Sequence, residues 1–306
     1  MSAGAHSDPP ALEHAPADAA FEEVLRPASF SAHVRETLRS SWLFRLGLGI
    51  VLIALFLTVF GPYITPHEVE KATSDANLAP SLSHWFGTDP NGFDVFSRVL
   101  ASARIDVTIA LAATLFSFVI GTFIGLLTSY FRGWPGEFVM RTTDTVQAFP
   151  LFVLAIIVVV MSGRSLRNVI LVVALLNIPI YLRLCRSQVL TIRERVFVEA
   201  AKANGGSGLF VAFRHVLPNT LSPGLAQIPI TVGFAILVTA GLSFIGAGVQ
   251  PPTPEWGAMI AAGADGIVIG KWWSSVFPGV AISLTVFGFA VVGEALRAIF
   301  LRQEWK

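Results

Sequence analysis

"VEAAKANGGSGLFVAFRHVLPN", Val198 to Asn219, is a polar, glycine-broken stretch in a chain that is otherwise mostly apolar. It carries Glu199, Lys202, Arg214 and His215, the pair Gly205-Gly206, and a closing Leu217-Pro218-Asn219. Apolar segments long enough to cross a bilayer flank it on both sides. The Glu, Arg, Lys and Ala content of "LTIRERVFVEAAKAN" (190–204) favours helix. Gly205-Gly206 ends that helix, because glycine enters the left-handed cap conformation at no steric cost. Ser207 is placed to cap a second short helix, "GLFVAFRH", whose Leu209, Phe210 and Phe213 share a face. Pro218 is expected to end that element before the next apolar run begins. The expected product is a helix–turn–helix hairpin with a small-residue surface, Ala200 and Ala201, beside one acid, Glu199. Small residues admit the backbone of another chain, and a single acid there calls for a cation. It is the shape of a knob that fits a cleft.

Around the hairpin the composition sets the class. The chain has 306 residues, 54% of them hydrophobic and 13% charged, with a mean hydropathy of +0.68. Soluble domains carry roughly 25% charged residues, so the composition indicates a multi-spanning membrane protein. Six apolar segments are expected as spans, at about 43–64, 105–131, 137–161, 168–184, 222–246 and 276–300. A span needs ~20 residues at 1.5 Å each; the fourth is short and contains Pro179, while Pro150 and Pro229 also fall inside spans. The first ~30 residues, rich in Ala, Pro and acid, lack the basic start and apolar centre of a signal peptide. The expected layout is therefore a disordered cytoplasmic tail (1–40), a first transmembrane helix (41–65), an external loop (66–104) and a five-helix core (105–302) containing the loop 185–219.

Orientation follows from Lys and Arg. With the N-terminus inside, fifteen of the twenty-one basic residues lie on the cytoplasmic side and six on the other: Lys71, Arg98, Arg104, Arg164, Arg167 and Lys271. The imbalance predicts that both termini and the quoted loop are cytoplasmic. Net charge is +1, which gives no field toward nucleic acid. The single cysteine, Cys185, allows no internal disulfide and no cysteine metal cluster.

The hairpin resembles a known signature. Glu-Ala-Ala, three residues, Gly, and a Leu-Pro further on mark the permease subunits of binding-protein-dependent ABC importers; here these are Glu199, Ala200, Ala201, Gly205, Leu217 and Pro218. His215 stands where that pattern has an aliphatic residue, and "RHVLPN" is similar to the peptide-importer branch. "HWFGTDPNGFDVFSRVLASAR" (84–104) and "LSFIGAGVQPPTPEWGAMI" (242–260) resemble segments of the C-type subunits of dipeptide and oligopeptide permeases. In the first of these Phe93 replaces a usual arginine, and Asp106, just beyond it, stands where serine is common.

The resemblance implies an all-α membrane fold of the type I ABC importer kind, in the bacterial inner membrane. It implies a permease subunit for dipeptides or oligopeptides that is not itself an enzyme. The implied partners are a second permease subunit, giving a heterodimer, two cytoplasmic ATPase subunits that hold the ATP and Mg, and an external substrate-binding protein. The quoted loop would dock in a groove of an ATPase subunit. The same class for another solute (a nickel chelate, glutathione or a sugar) is the alternative; a secondary transporter is a further one, but inverted repeats and mid-membrane charges are not evident.

Other candidates are weaker. "GADGIVIGKWW" (263–273) fails as a phosphate loop, with Asp265 and Trp272 where glycine and Ser or Thr are required. Gln147 and Asn177 are candidates for lining the path. Asp144 is read as pairing with Arg141, and Asn177 otherwise as bonding between helices. The six histidines show no metal-ligand spacing, and His84 and His215 read as local contacts, so no metal, cofactor or catalytic residue is expected in this chain.

Overall fold

The computed structural model describes Glu36, Leu38, residues 41–131 and residues 133–304. The expected disordered tail therefore lies almost wholly outside the described residues. The described chain is nearly all helical: α1 (Trp42–Phe60), α2 (Val95–Tyr130), α3 (Trp134–Ala148), α4 (Leu151–Ser162), α5 (Leu166–Ile192), α6 (Val196–Ala203), α7 (Gly208–Phe244), α8 (Trp256–Val268) and α9 (Trp273–Glu304). Among the described residues, five helices are long and apolar enough to cross a membrane, or six if the bent pair α3–α4 is one span.

Local chemistry sets the helix starts. Ser41, Asp94 and Ser165 each accept a hydrogen bond from a first-turn N–H of α1, α2 and α5. The Asp94 cap starts α2 ten residues before the expected span, so 95–104 is helix and not loop. At 36 residues, α2 is about 54 Å long by its rise per residue, well beyond the ~30 Å apolar thickness of a bilayer. Arg104 donates to the Thr58 and Val59 carbonyls at the end of α1, at 3.2 and 2.7 Å. It satisfies orphan acceptors where the helix dipole favours a cation.

The expected single span 137–161 is two helices, with 96° between them at Phe149-Pro150. Phe149 is extended (φ −76, ψ 141), as the residue before proline is pushed to be. Pro179, Pro223 and Pro229 remain inside intact helices. The difference is support: α5 and α7 are packed on α2 and on each other, whereas α4 lies mainly against α5. A freed backbone group in a crowded helix finds neighbours to satisfy it.

The spans pack around two clusters. The larger joins Val107 and Ile109 of α2, Val172 and Val173 of α5, Ile236 and Leu242 of α7, and Ile282 and Phe289 of α9. α2 and α5 approach most closely over Gly121 and Gly125. A Cβ there would lie 2.7 Å from the Ile178 carbonyl and 2.8 Å from the Leu182 carbonyl respectively. This is the small-residue spacing that lets membrane helices touch backbone to backbone. Outward faces such as Leu52, Ile53 and Phe56 of α1 remain exposed and apolar, as lipid-facing surface requires.

At the end where α1 finishes and α2 starts, the chain 61–94 is folded down. The Trp273 indole N–H donates to the Thr88 carbonyl (3.0 Å), and Phe86 stacks on Phe277 at 3.8 Å. The short helix α8 sits at this end too. Its N-terminus is capped by two buried carboxylates. Glu255 accepts from Gly257 and Ala258, and Asp106 of α2 accepts from Trp256 at 3.1 Å. Asp106 thus anchors α8 to α2, and Trp256 adds a bond to the Val99 carbonyl at 3.0 Å.

Candidate functional site

The candidate site lies at the opposite end, between α5 and α7. α5 runs to Ile192, so the expected helix over 190–204 is interrupted at Arg193–Arg195 and restarts as α6. The Arg193 guanidinium donates to the Ser129 carbonyl at the end of α2 (2.6 Å), which fixes this corner. α6 then carries Glu199, Ala200, Ala201 and Lys202. Its end is a Schellman turn: Gly205 N–H donates to the Lys202 carbonyl (3.0 Å) and Gly206 N–H to the Ala201 carbonyl (3.1 Å). Gly205 takes φ +82, as expected of the residue that closes such a turn. Ser207 caps the next helix through the Phe210 N–H at 3.3 Å.

The second arm does not end at Pro218. Residues 212–216 form a π turn, and the helix continues without a break from Gly208 to Phe244. Proline lacks an N–H and its ring crowds the carbonyl four residues back. The wider π turn, closed by Leu217 N–H on the Ala212 carbonyl, relieves that crowding. Asn219 also donates its side-chain amide to the His215 carbonyl at 2.7 Å. Pro218 therefore sits inside the start of a span, where it shapes the helix instead of stopping it.

The hairpin has an inner and an outer face. Inward, Val198 of α6 and Val211, Ala212 and Val216 of α7 pack on Leu126 of α2 and on Cys185 and Val189 of α5. The hairpin is thereby seated on two spans, α2 and α5, and runs directly into a third, α7. Outward, Glu199, Ala200 and Gly205 are exposed. So are Val196, Phe197, Leu209 and Phe210, an apolar patch around a single acid. Ala201 and Leu217 are half-buried and belong to the inner packing, and Pro218 is exposed. Lys202 lies over the Tyr130 ring at 5.5 Å, which holds its cation on the α2 side and away from Glu199's outer surface.

The remaining sequence candidates separate. Asp144 pairs with Arg183 of α5 at 2.6 Å, not with Arg141, and Glu137 pairs with Arg186 at 3.2 Å. These pairs strap α3 across α5. Being exposed, they position more than they stabilise, at ~0–1 kcal/mol each. Gln147 is exposed near the α3–α4 bend. Asn177 is fully buried, and its amide donates to the Val173 carbonyl of its own helix (2.9 Å), so the expected bond between helices is not made. The spacing "GTFIG" (121–125), a small-residue signal that sequence reasoning passed over, could have pointed to the α2–α5 contact. Arg193 gave none, because its partner is a backbone carbonyl distant in sequence.

At the other end, a cleft of about 730 Å³ is lined by residues including His67, Glu68, Glu70, Lys71, Arg104 and Thr253. His67, His84 and Asp94 meet beside it. Sequence spacing could not show this meeting, because His67 and His84 come from separate turns of a long loop and Asp94 from a helix cap.

Residues 117–305 match the family described as the binding-protein-dependent transport system inner membrane component, and residues 29–80 match the N-terminal TM domain of oligopeptide transport permease C. The chain is similar to the dipeptide transport system permease protein DppC of Alkalihalophilus pseudofirmus, 38% identical over 253 residues, 82% of this chain and 83% of that one. It is similar also to the glutathione transport system permease protein GsiD of Escherichia coli O6:K15:H31, 40% identical over 249 residues, 81% of this chain and 82% of that one. Among solved structures it resembles an inward-facing MetNI methionine ABC transporter, with a TM-score of 0.54 and 19% identity over 66% of this chain and 96% of that one. That last likeness concerns the fold alone.

Proposed function

This chain belongs to the family of binding-protein-dependent transport system inner membrane components, and from that premise we propose how it works. It is a multi-pass inner-membrane permease subunit of the ABC importer class, with no enzymatic role of its own. In the proposed reading its solute is a dipeptide or oligopeptide, the dipeptide being the solute named for one relative, and glutathione, named for the other, is the alternative. It forms half of the translocation path with a second permease subunit, and an external binding protein delivers the peptide. Two partner ATPase subunits hold ATP and Mg and hydrolyse it. The termini and the hairpin face the cytoplasm in this reading, which the distribution of Lys and Arg supports.

The observation that supports this reading is the two-faced hairpin: its outer face is exposed, its inner face is keyed into α2 and α5, and its second arm continues as α7. When the ATPase dimer closes it moves the hairpin, and these three spans follow. This is access alternating between two packed arrangements. Glu199 meets a cation in the ATPase groove, and Ala200 and Gly205 let the two backbones approach. The test is uptake by proteoliposomes that hold this chain with its partner subunits, given labelled dipeptide, oligopeptide, glutathione, nickel chelate or sugar with the binding protein. ATP-dependent accumulation of a peptide supports the reading. Accumulation of a non-peptide alone replaces the substrate, and uptake without ATP refutes the importer mechanism.

A further inference from the structure

We propose that His67, His84 and Asp94 form a site for one divalent d-block cation of the Zn²⁺, Ni²⁺ or Co²⁺ class, which pins the 61–94 loop to the first turn of α2. One ligand atom from each residue lies within 4.8 Å of the others. The two imidazoles stack with centroids 4.7 Å apart, and His84 Nδ1 lies 2.8 Å from Asp94 Oδ1. His84 and Asp94 are buried and His67 is half-buried.

The set is held in place from behind. Ser97 binds two of the three residues. Its backbone N–H donates to Asp94 Oδ2 at 2.8 Å, and its hydroxyl accepts the His67 backbone N–H at 3.2 Å. His67 Nε2 meets the Ser83 carbonyl at 2.9 Å. His84 Nδ1 meets a carboxylate oxygen of the set itself, while His67 Nε2 is committed to a carbonyl outside the set, which sets that ring's tautomer and leaves its Nδ1 with the lone pair. That is the arrangement by which outer residues orient metal-bound histidines. The donor set of two imidazoles and one carboxylate selects borderline d-block ions over Mg²⁺ or Ca²⁺, which prefer all-oxygen sites.

Tetrahedral bonds of about 2.0–2.2 Å need the three atoms closer than they stand, by roughly an ångström. His67 supplies that movement, since it borders the open cleft. Glu68 and Glu70 line the same cleft and give a cation its approach. The bland alternative is a metal-free clamp in which His84 and Asp94 share a hydrogen bond and His67 only stacks.

The two readings differ in a direct measurement. The full chain, with its purification tag removed, is reconstituted in nanodiscs, stripped with chelator and titrated with Zn²⁺ or Ni²⁺ by calorimetry, and Co²⁺ is followed by its ligand-field absorption. The expected result is one ion bound per chain, with a Co²⁺ spectrum of low coordination number. His67→Gln should weaken binding at least tenfold while leaving the metal-free melting temperature unchanged. Ser97→Ala, which removes one outer support, should weaken it about 10-fold or more. Saturating Zn²⁺ should raise the melting temperature of the wild type and not of His67→Gln. The proposal is overturned if the wild-type chain binds none of the three ions, or if His67→Gln binds as tightly as wild type.

Discussion

Replacing Gly205 by valine tests the hairpin directly. Gly205 closes the turn at φ +82, and an added Cβ would meet no heavy atom within 4 Å. No clash contributes, so the whole cost is conformational. An L-residue in the left-handed region costs about 1–2 kcal/mol, and a β-branched one is a genuine outlier there. A loss of that size shifts the closed turn against its open forms by roughly 5–30-fold. Opening the turn also gives up the bonds to Lys202 and Ala201, each worth ~0.5–1.5 kcal/mol net. The expected series is Gly205→Asn close to wild type, Gly205→Ala intermediate and Gly205→Val worst, because asparagine tolerates this conformation best after glycine. The assay has three readings: membrane level by immunoblot, co-purification of the ATPase subunits, and solute uptake. Membrane level should hold, because the turn lies outside the apolar spans, while association and uptake should fall together. Wild-type uptake and ATPase association by Gly205→Val would refute the claim that this turn couples the subunits.

Other expectations follow from single features. Glu199→Ala should loosen ATPase association about ten-fold or more, since a charge-assisted contact is worth ~1.5–3 kcal/mol; titrating the ATPase subunits against reconstituted chain measures it. The purified chain alone should hydrolyse no ATP above background, with activity appearing only when the partner ATPases are added. In sealed cells, Lys202→Cys in a Cys185→Ser background should react with a membrane-permeant thiol reagent and resist an impermeant one; strong impermeant labelling would reverse the orientation. Cys185 itself, 3% exposed, should stay unlabelled in the folded chain, so it cannot report topology. Gly125→Val should push α2 off α5, because a Cβ there already meets the Leu182 carbonyl at 2.8 Å; lower melting temperature and loss of assembled chain from the membrane are the readouts.

The apolar runs were enough to find the spans, because burial in lipid demands long uninterrupted hydrophobic helices whatever their neighbours. They could not place the helix ends that side chains decide. Asp94 lengthens α2 beyond its apolar part, and Pro150 breaks a run that hydropathy reads as continuous. Pro218 misled for a related reason. Proline stops an isolated helix, but here the π turn absorbs the misfit and the helix goes on. The turn at Gly205-Gly206 was legible because its chemistry is local. The Asp144–Arg183 pair was not, because it joins residues that only folding brings together, and the nearer Arg141 drew the sequence reading. Asn177 reads as lining the path or bonding between helices; instead its amide nitrogen bonds the previous turn of its own helix, and its buried Oδ1 has no protein partner among the described residues. The meeting of His67, His84 and Asp94 depends on how a 34-residue connection folds back, which no spacing rule describes.

The unbroken passage from hairpin to span at residues 212–216 has a mechanical result. The first arm, α6, joins α5 through a non-helical corner of three residues that Arg193 ties to the end of α2. The second arm joins α7 as one rod of 37 residues, about 55 Å long at the helical rise. A load applied at Glu199 is therefore shared unequally. One side meets a break in the helix, held by a side-chain bond to α2, while the other runs unbroken to the far end of the rod, where α8 and its capping carboxylates lie. Under the proposed coupling, this asymmetry gives the stroke a direction: the rod drives, and its neighbour follows.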